Sequence, residues 1–403
     1  MSNSATYDLI LKGGHVIDPA NGVDEPRDVA VKDGKIAEVT AEIDKSLATK
    51  IVDVAGLHLT PGLIDLHTHH FGKHAHIHPD VYAMPAGVTT VVDAGTSGAD
   101  SFEEFNDTVI ASTTTRVLAL INICRSGMIN HSEQDVTQLQ AGPCAAVMKA
   151  YPDQIIGIKA AHFDGPGYSG IEAAVQAGDD TSKPVMIDYH RHPTRNYRGL
   201  LERLRPGDTH THMYGRHTPQ MDSESKLFSF IEEARERGIQ FDVGHGGFSF
   251  WFSTASKLIP QGHIPNTIST DVHTGSYFML RATMPMVMSK LMNLGISLYD
   301  VVKMSTSAPA SWMKRPELGN LSIGVDADIA AFEVEHGEFG FVDSGQARME
   351  GNTRLTCHMT VRDGNIVWDL NGLSRPDYKG HGDYISLNRD MSEYADWTGY
   401  DNS

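Results

Sequence analysis

A chain of 403 residues is too long for one small domain and suits a barrel of about 250 residues with a satellite beside it. With 33 basic against 51 acidic side chains, the formal charge of −18 repels phosphate backbones and anionic lipid and argues against nucleic-acid or membrane partners. Three cysteines without CxxC spacing argue against disulfides and zinc–thiolate sites, whereas 21 histidines, clustered and often two apart, stand out.

The start, MSNSATYDLI, has neither the basic patch nor the apolar run of a secretory leader, and no apolar stretch is long enough to span a bilayer. With the sparse cysteines, this sets the expectation of a cytoplasmic protein. From YDLILKGGHVID to DVAVKDGKIAEVT, apolar and polar residues alternate between the turn signals Gly13-Gly14 and Asp33-Gly34, predicting short antiparallel strands. The same texture returns in LSIGVDADIAAFEV and CHMTVRDGNIVWDLNG. Because VAVKDGKIAEV and MTVRDGNIVWD echo each other, the two ends are expected to build one composite β-sandwich domain from residues 1–58 and 322–373. The tail, 374–403, is polar and aromatic without periodicity.

Between residues 59 and 321, short apolar runs alternate with helix-compatible stretches, the pattern of βα units around a parallel sheet. Eight candidate strands are visible: LTPGLIDLHTHH, GVTTVVDAGT, RVLALINICRS, IIGIKAAH, PVMIDYHRH, DTHTHMYG, QFDVGHGG and NTISTDVHT. Eight units predict an α/β chain folded as a closed (β/α)8 TIM barrel. No GxGxxG follows the first strand, which weakens a dinucleotide-binding alternative.

TIM barrels place their active sites at the C-terminal strand ends, and there this chain carries its polar residues. His67 and His69 close the first strand; two apart, they face the same side. Lys159 ends the fourth strand, Asp188 and His190 the fifth, His210 and His212 the sixth, His245 the seventh and Asp271 the eighth. Any one of these has a plain structural explanation, but their coincidence at equivalent positions points to a divalent metal held by imidazole and carboxylate. His70, His74, His76 and His78 read as loop groups behind the first motif. FSFWFSTASKLIPQG lines a pocket or an interface, or forms the core face of the seventh helix.

PGLIDLHTHH resembles the HxH signature of the amidohydrolase superfamily. The resemblance runs from LILKGGHVID through GVDADIAAFE to VRDGNIVWD, with IIGIKAAH, FDVGHGGFSFW and TISTDVHTGS similar to dihydroorotase-like deacetylases. It implies one or two divalent ions, zinc first, with manganese or iron(II) as substitutes. The first ion would take His67, His69, a carboxylated Lys159 and Asp271; a second would share Lys159 and use His212. On the fifth strand the family pattern has histidine where this chain has Asp188. His190 is the expected ligand there, with Asp188 the alternative.

The implied chemistry is hydrolysis of an amide or ester bond in a small N-acyl or O-acyl acid by metal-activated hydroxide, with Asp271 as acid–base group. The alternative is opening of a cyclic amide or imide, as in dihydroorotase- or hydantoinase-like enzymes. His245, a structural histidine on its plainer reading, is expected to hydrogen-bond the substrate, with His273 and Tyr189 lining the site. Arg191 and Arg195 are candidate carboxylate binders. A small-molecule substrate and a homo-oligomer are the expected partners. A catalytically dead scaffold is disfavoured because HxH, lysine, sixth-strand histidine and aspartate are all present.

Overall fold

The computed structural model describes residues 6–72 and 77–379. Five strands come first: β1 (Tyr7–Asp18), β2 (Val23–Lys32), β3 (Lys35–Thr40), β4 (Ala48–Asp53) and β5 (His58–Pro61). Seven follow in the middle of the chain: β6 (Leu63–Thr68), β7 (Val88–Gly98), β8 (Arg116–Asn122), β9 (Ile155–Ala160), β10 (Val185–Ile187), β11 (Thr209–His210) and β12 (Gln240–Phe241). The last are β13 (Ile329–Val342), β14 (Arg348–Arg362) and β15 (Asn365–Asp369).

Strands β6 to β12 form one parallel sheet in sequence order, with helices between them. They carry apolar runs buried on both faces, such as RVLALIN in β8 and IIGIKA in β9, because helices cover one side and the barrel core the other. Inside, Leu66, Val92, Leu118, Leu120, Ile156 and Met186 cluster with Ala310, Met313 and Leu318. The eighth predicted strand makes only isolated bridges, Asp242 with Thr267 and Thr68 with Val272. Residues 267–272 still bond on both sides: His245 N donates to Ser269 O (3.2 Å), and Asp271 N to His67 O (2.7 Å). The parallel sheet therefore curls shut through this irregular segment into a TIM barrel.

The other sheet has eight strands in the order β15-β14-β13-β5-β1-β2-β3, with β4 also on β1. Both predicted hairpins, β2–β3 and β14–β15, lie in it, and its core mixes Leu9, Val29 and Leu59 with Ile329, Met359 and Val361. Residues 59–61 pair in this sheet, as part of β5, and not in the barrel to which the sequence reading assigned them. Gly62, whose missing Cβ leaves room for Thr89, separates the two sheets. Among the described residues no helix is long and apolar enough to cross a membrane.

Candidate metal centre

Strand β6 changes phase across its first histidine: Asp65 pairs with Val91 and Thr68 with Asp93, so three steps on β6 match two on β7. Asp65 turns to Tyr82 and Thr270, where burial pushes its carboxyl up to about 7. His67 and His69 instead converge on Asp271, with Nε2 to Oδ1 distances of 3.5 and 2.9 Å. His67, His212 and Asp271 bring one ligand atom each within 4.8 Å of one another. Lys159, wholly buried, lies 3.1 Å from His67 Nε2 and 2.7 Å from Asp188 Oδ1.

Each imidazole is oriented from behind. Thr211 Oγ1 meets His67 Nδ1 at 3.0 Å and donates to Asp242; Thr96 Oγ1 meets His69 Nδ1 at 3.0 Å and donates to Asp93. His212 Nδ1 donates to Gly244 O at 2.6 Å. With every Nδ1 engaged, Nε2 is the nitrogen presented to the centre, the arrangement in which outer hydroxyls, carbonyls and carboxylates fix metal-binding histidines. Burial, followed by the Lys159 charge, holds His67 well below the ordinary imidazole range and therefore neutral. Burial would raise Asp271, but the hydrogen bond from His69 and the nearby His212 hold its carboxyl well below the usual range. A neutral imidazole beside an ionised carboxylate is the donor chemistry of a hydrolytic zinc site, so these residues fit the metal.

Backbone strain and close approach build this cluster. Asp271 and His212 have φ of +47° and +63°, a left-handed conformation that side-chain-bearing residues adopt at a cost and that collects at functional sites. Gly246, φ +52°, lies so close that a Cβ there would stand 2.2 Å from Asp271 Oδ2; at Gly95 one would stand 2.6 Å from Lys159 Cβ.

A cavity of about 1060 Å³ opens over the cluster and is lined by His69, Asp188, His212, Asp271, Tyr189, Arg191 and His273 among others. On the fifth strand, Asp188 faces both Lys159 and His212, with Oδ2 3.5 Å from His212 Nε2, while His190 lies further out beside Asp164. His273 reaches the cavity and also caps the helix Thr274–Leu280.

Three expectations need correction. His245 does not face the cavity: it is fully buried, stacked on Phe250 and 2.7 Å from Lys290 Nζ, because the Gly244–Gly246 turn rotates it into the core. Arg195 is not free for a substrate, since its guanidinium donates to the carbonyls of Phe163, Gly165, Gly167 and His190. His210 is buried against Tyr197. Of FSFWFSTASKLIPQG, Phe250, Phe252 and Leu258 join the core and Phe248 lines the cavity. His78 caps a helix, His70 Nδ1 donates to Ile77 O, and His74 and His76 lie outside the described residues, as does the tail beyond residue 379. The sequence reading missed His162, which follows the fourth strand and lines the cavity, although a polar residue just past an apolar run is the signal used at the other strands.

No family model matches the chain. It is 31% identical over 375 residues to a deacetylase of Enterococcus faecalis, covering 89% of this chain and 99% of that one. It is 30% identical to a deacetylase of Brucella anthropi, over 80% of this chain and 83% of the relative. Among solved structures, an adenine deaminase superposes with a TM-score of 0.82 at 30% identity, covering 89% of this chain and 99% of the other. A dihydroorotase superposes at 0.80 and 25%, covering 90% and 99%. Fold and donor set together define an enzyme of the metal-dependent amidohydrolase type. The chain belongs to the amidohydrolase superfamily.

Proposed function

We propose that the protein is a zinc-dependent hydrolase that removes an acyl group from a small N-acyl or O-acyl acid. The convergence of His67, His212 and Asp271 beneath the open cavity, which His212 and Asp271 line, carries this reading, and kinship with deacetylases over nearly their whole length supports the leaving acyl group. His67, His69, His212, Asp271 and a carboxylated Lys159 would hold the metal, which when bound lowers the pKa of water toward neutrality.

Asp271 is poised as base. Its ionised carboxylate accepts the proton of the attacking water and returns it to the departing amine or alkoxide. Arg191, exposed on the cavity wall, anchors the substrate carboxylate, with His273 and Tyr189 beside it. The mixed sheet, with its own core, would be a small composite β-sandwich domain drawn from residues 1–58 and 322–373, extended by residues 59–61 of β5. Three free, buried cysteines fit residence in a reducing cytoplasm.

The test is a hydrolysis screen of the zinc-loaded protein. Acetylated amino and hydroxy acids of both hands would run beside dihydroorotate, hydantoins and cyclic imides. Acetate release from one enantiomeric series is expected, and Asp271→Asn should abolish it while retaining most of the metal. Ring opening without acid release would replace this reading with the cyclic amidase.

A further inference from the structure

The same cavity holds a second constellation that the centre above does not use. His162, Asp188 and His190 bring one ligand atom each within 4.8 Å of one another. The three come from two neighbouring strand ends: Asp188 and His190 follow β10, and His162 stands two residues beyond β9.

Each imidazole is backed by a carboxylate. His162 Nδ1 meets Glu133 Oε2 at 2.8 Å, and Glu133 is itself buried and fixed through Oε1 by Asn122. His190 Nδ1 meets Asp164 Oδ1 at 3.2 Å. Both Nε2 atoms are thus left as donors, and the histidine–carboxylate pairing is the one that orients and enriches metal-binding imidazoles. Asp188 is 6% exposed, and its Oδ1 has no hydrogen-bond partner; Lys159 Nζ, 2.7 Å away, compensates its charge off the hydrogen-bonding direction.

The loops are fixed as well. Arg195 ties the carbonyls of Phe163, Gly165 and Gly167, just past His162, to the carbonyl of His190. His162 is held at φ +58°, a strained conformation that this scaffold maintains. A bland surface histidine pair needs neither a buried carboxylate behind it nor a guanidinium spent entirely on backbone.

We propose that His162, Asp188 and His190 form a second divalent-cation site, outward of the His67–His212–Asp271 centre. Two imidazoles and one carboxylate are the three-ligand set of an open zinc site, with room for solvent or a substrate group in the fourth position. Glu133 and Asp164 are positioning residues. The site also bears on Lys159. A carboxylated, anionic Lys159 beside an uncompensated Asp188 is repulsive, and a cation on Asp188 removes the conflict. That consequence rests on the carboxylated-lysine reading; the cation site does not.

The experiment counts metal, not turnover. The full-length protein and the variants His162→Ala, His190→Ala and His67→Ala are loaded with zinc, dialysed, and analysed by elemental mass spectrometry, with circular dichroism to confirm folding. The parent should hold two zinc ions per chain. His162→Ala and His190→Ala should each hold one. Glu133→Gln, which spares all three ligands, should weaken the second ion about 10- to 100-fold in a zinc titration while the first is unchanged. A parent that holds one ion, lost in His67→Ala and kept in His162→Ala, overturns the proposal, as does His162→Ala retaining two or losing both. Acetate release by the parent is read separately, so the hydrolase reading and this site stand or fall independently.

Discussion

Gly246→Ala tests whether the reacting carboxylate is placed by backbone contact. At φ +52° an alanine costs about 1–2 kcal/mol of conformational strain. Its Cβ would also stand 2.2 Å from Asp271 Oδ2, against a floor of 3.0 Å for real Cβ contacts, so the carboxylate or the turn must yield by at least 0.8 Å. Misplacement on the order of 1 Å costs a reaction about 100-fold, roughly 2.7 kcal/mol of barrier. The expected result is a fall of about 100-fold in kcat/KM for whichever acylated acid the screen identifies, with the fold retained by circular dichroism. Gly247→Ala is the control: its φ is not in the left-handed range, and its nearest neighbour, His273 Nε2, is 3.7 Å away. It should stay within about threefold of the parent, the range of a tolerated contact. Near-parental turnover in Gly246→Ala, or equal loss in Gly247→Ala, refutes the argument.

Three further outcomes follow from the same geometry. Thr211→Val removes the hydroxyl between His67 Nδ1 and Asp242, and zinc affinity should drop about 10- to 100-fold in a competition titration, with Thr211→Ser close to the parent. Lys159→Ala should lose metal and activity; bicarbonate will not restore them, whereas a short carboxylic acid should do so in part, and full activity without it would remove the lysine from the centre. Burial lowers Lys290 to about 7, against 10.5 for a free lysine. Between those values the unfolded chain holds a proton that the folded one has released, so this group's contribution to stability rises with pH across the window. The melting-temperature gap between Lys290→Met and the parent should accordingly shift against the variant from pH 7 to 10. A pH-independent gap would show that the lysine is not so perturbed.

What could be read from the sequence was whatever strand periodicity and position fix. HxH, Lys159, His212 and Asp271 all stand at strand ends, and the barrel brings them together as the spacing implied. His245 stands at such an end too, but its orientation depends on Lys290, 45 residues away on the helix Met284–Asn293, and on Phe250. No local pattern carries that contact. Arg195 looked available because its acceptors are backbone carbonyls, which every sequence has and none displays. The choice between Asp188 and His190 turned on how a three-residue strand leaves the barrel, and the structure sets Asp188 against Lys159 with His190 further out.

The sheet shared by the two chain ends has a consequence during synthesis. Leu59 is made early, but Ile329 and Met359, which close its core, emerge about 270 and 300 residues later, roughly 15–60 s at ordinary translation rates. For that interval the edge of β5 that awaits β13 is unpaired on the ribosome, an aggregation hazard of the kind chaperones shield. Recombinant yield of this chain should therefore depend on chaperone supply and growth temperature more than on the stability of the finished barrel.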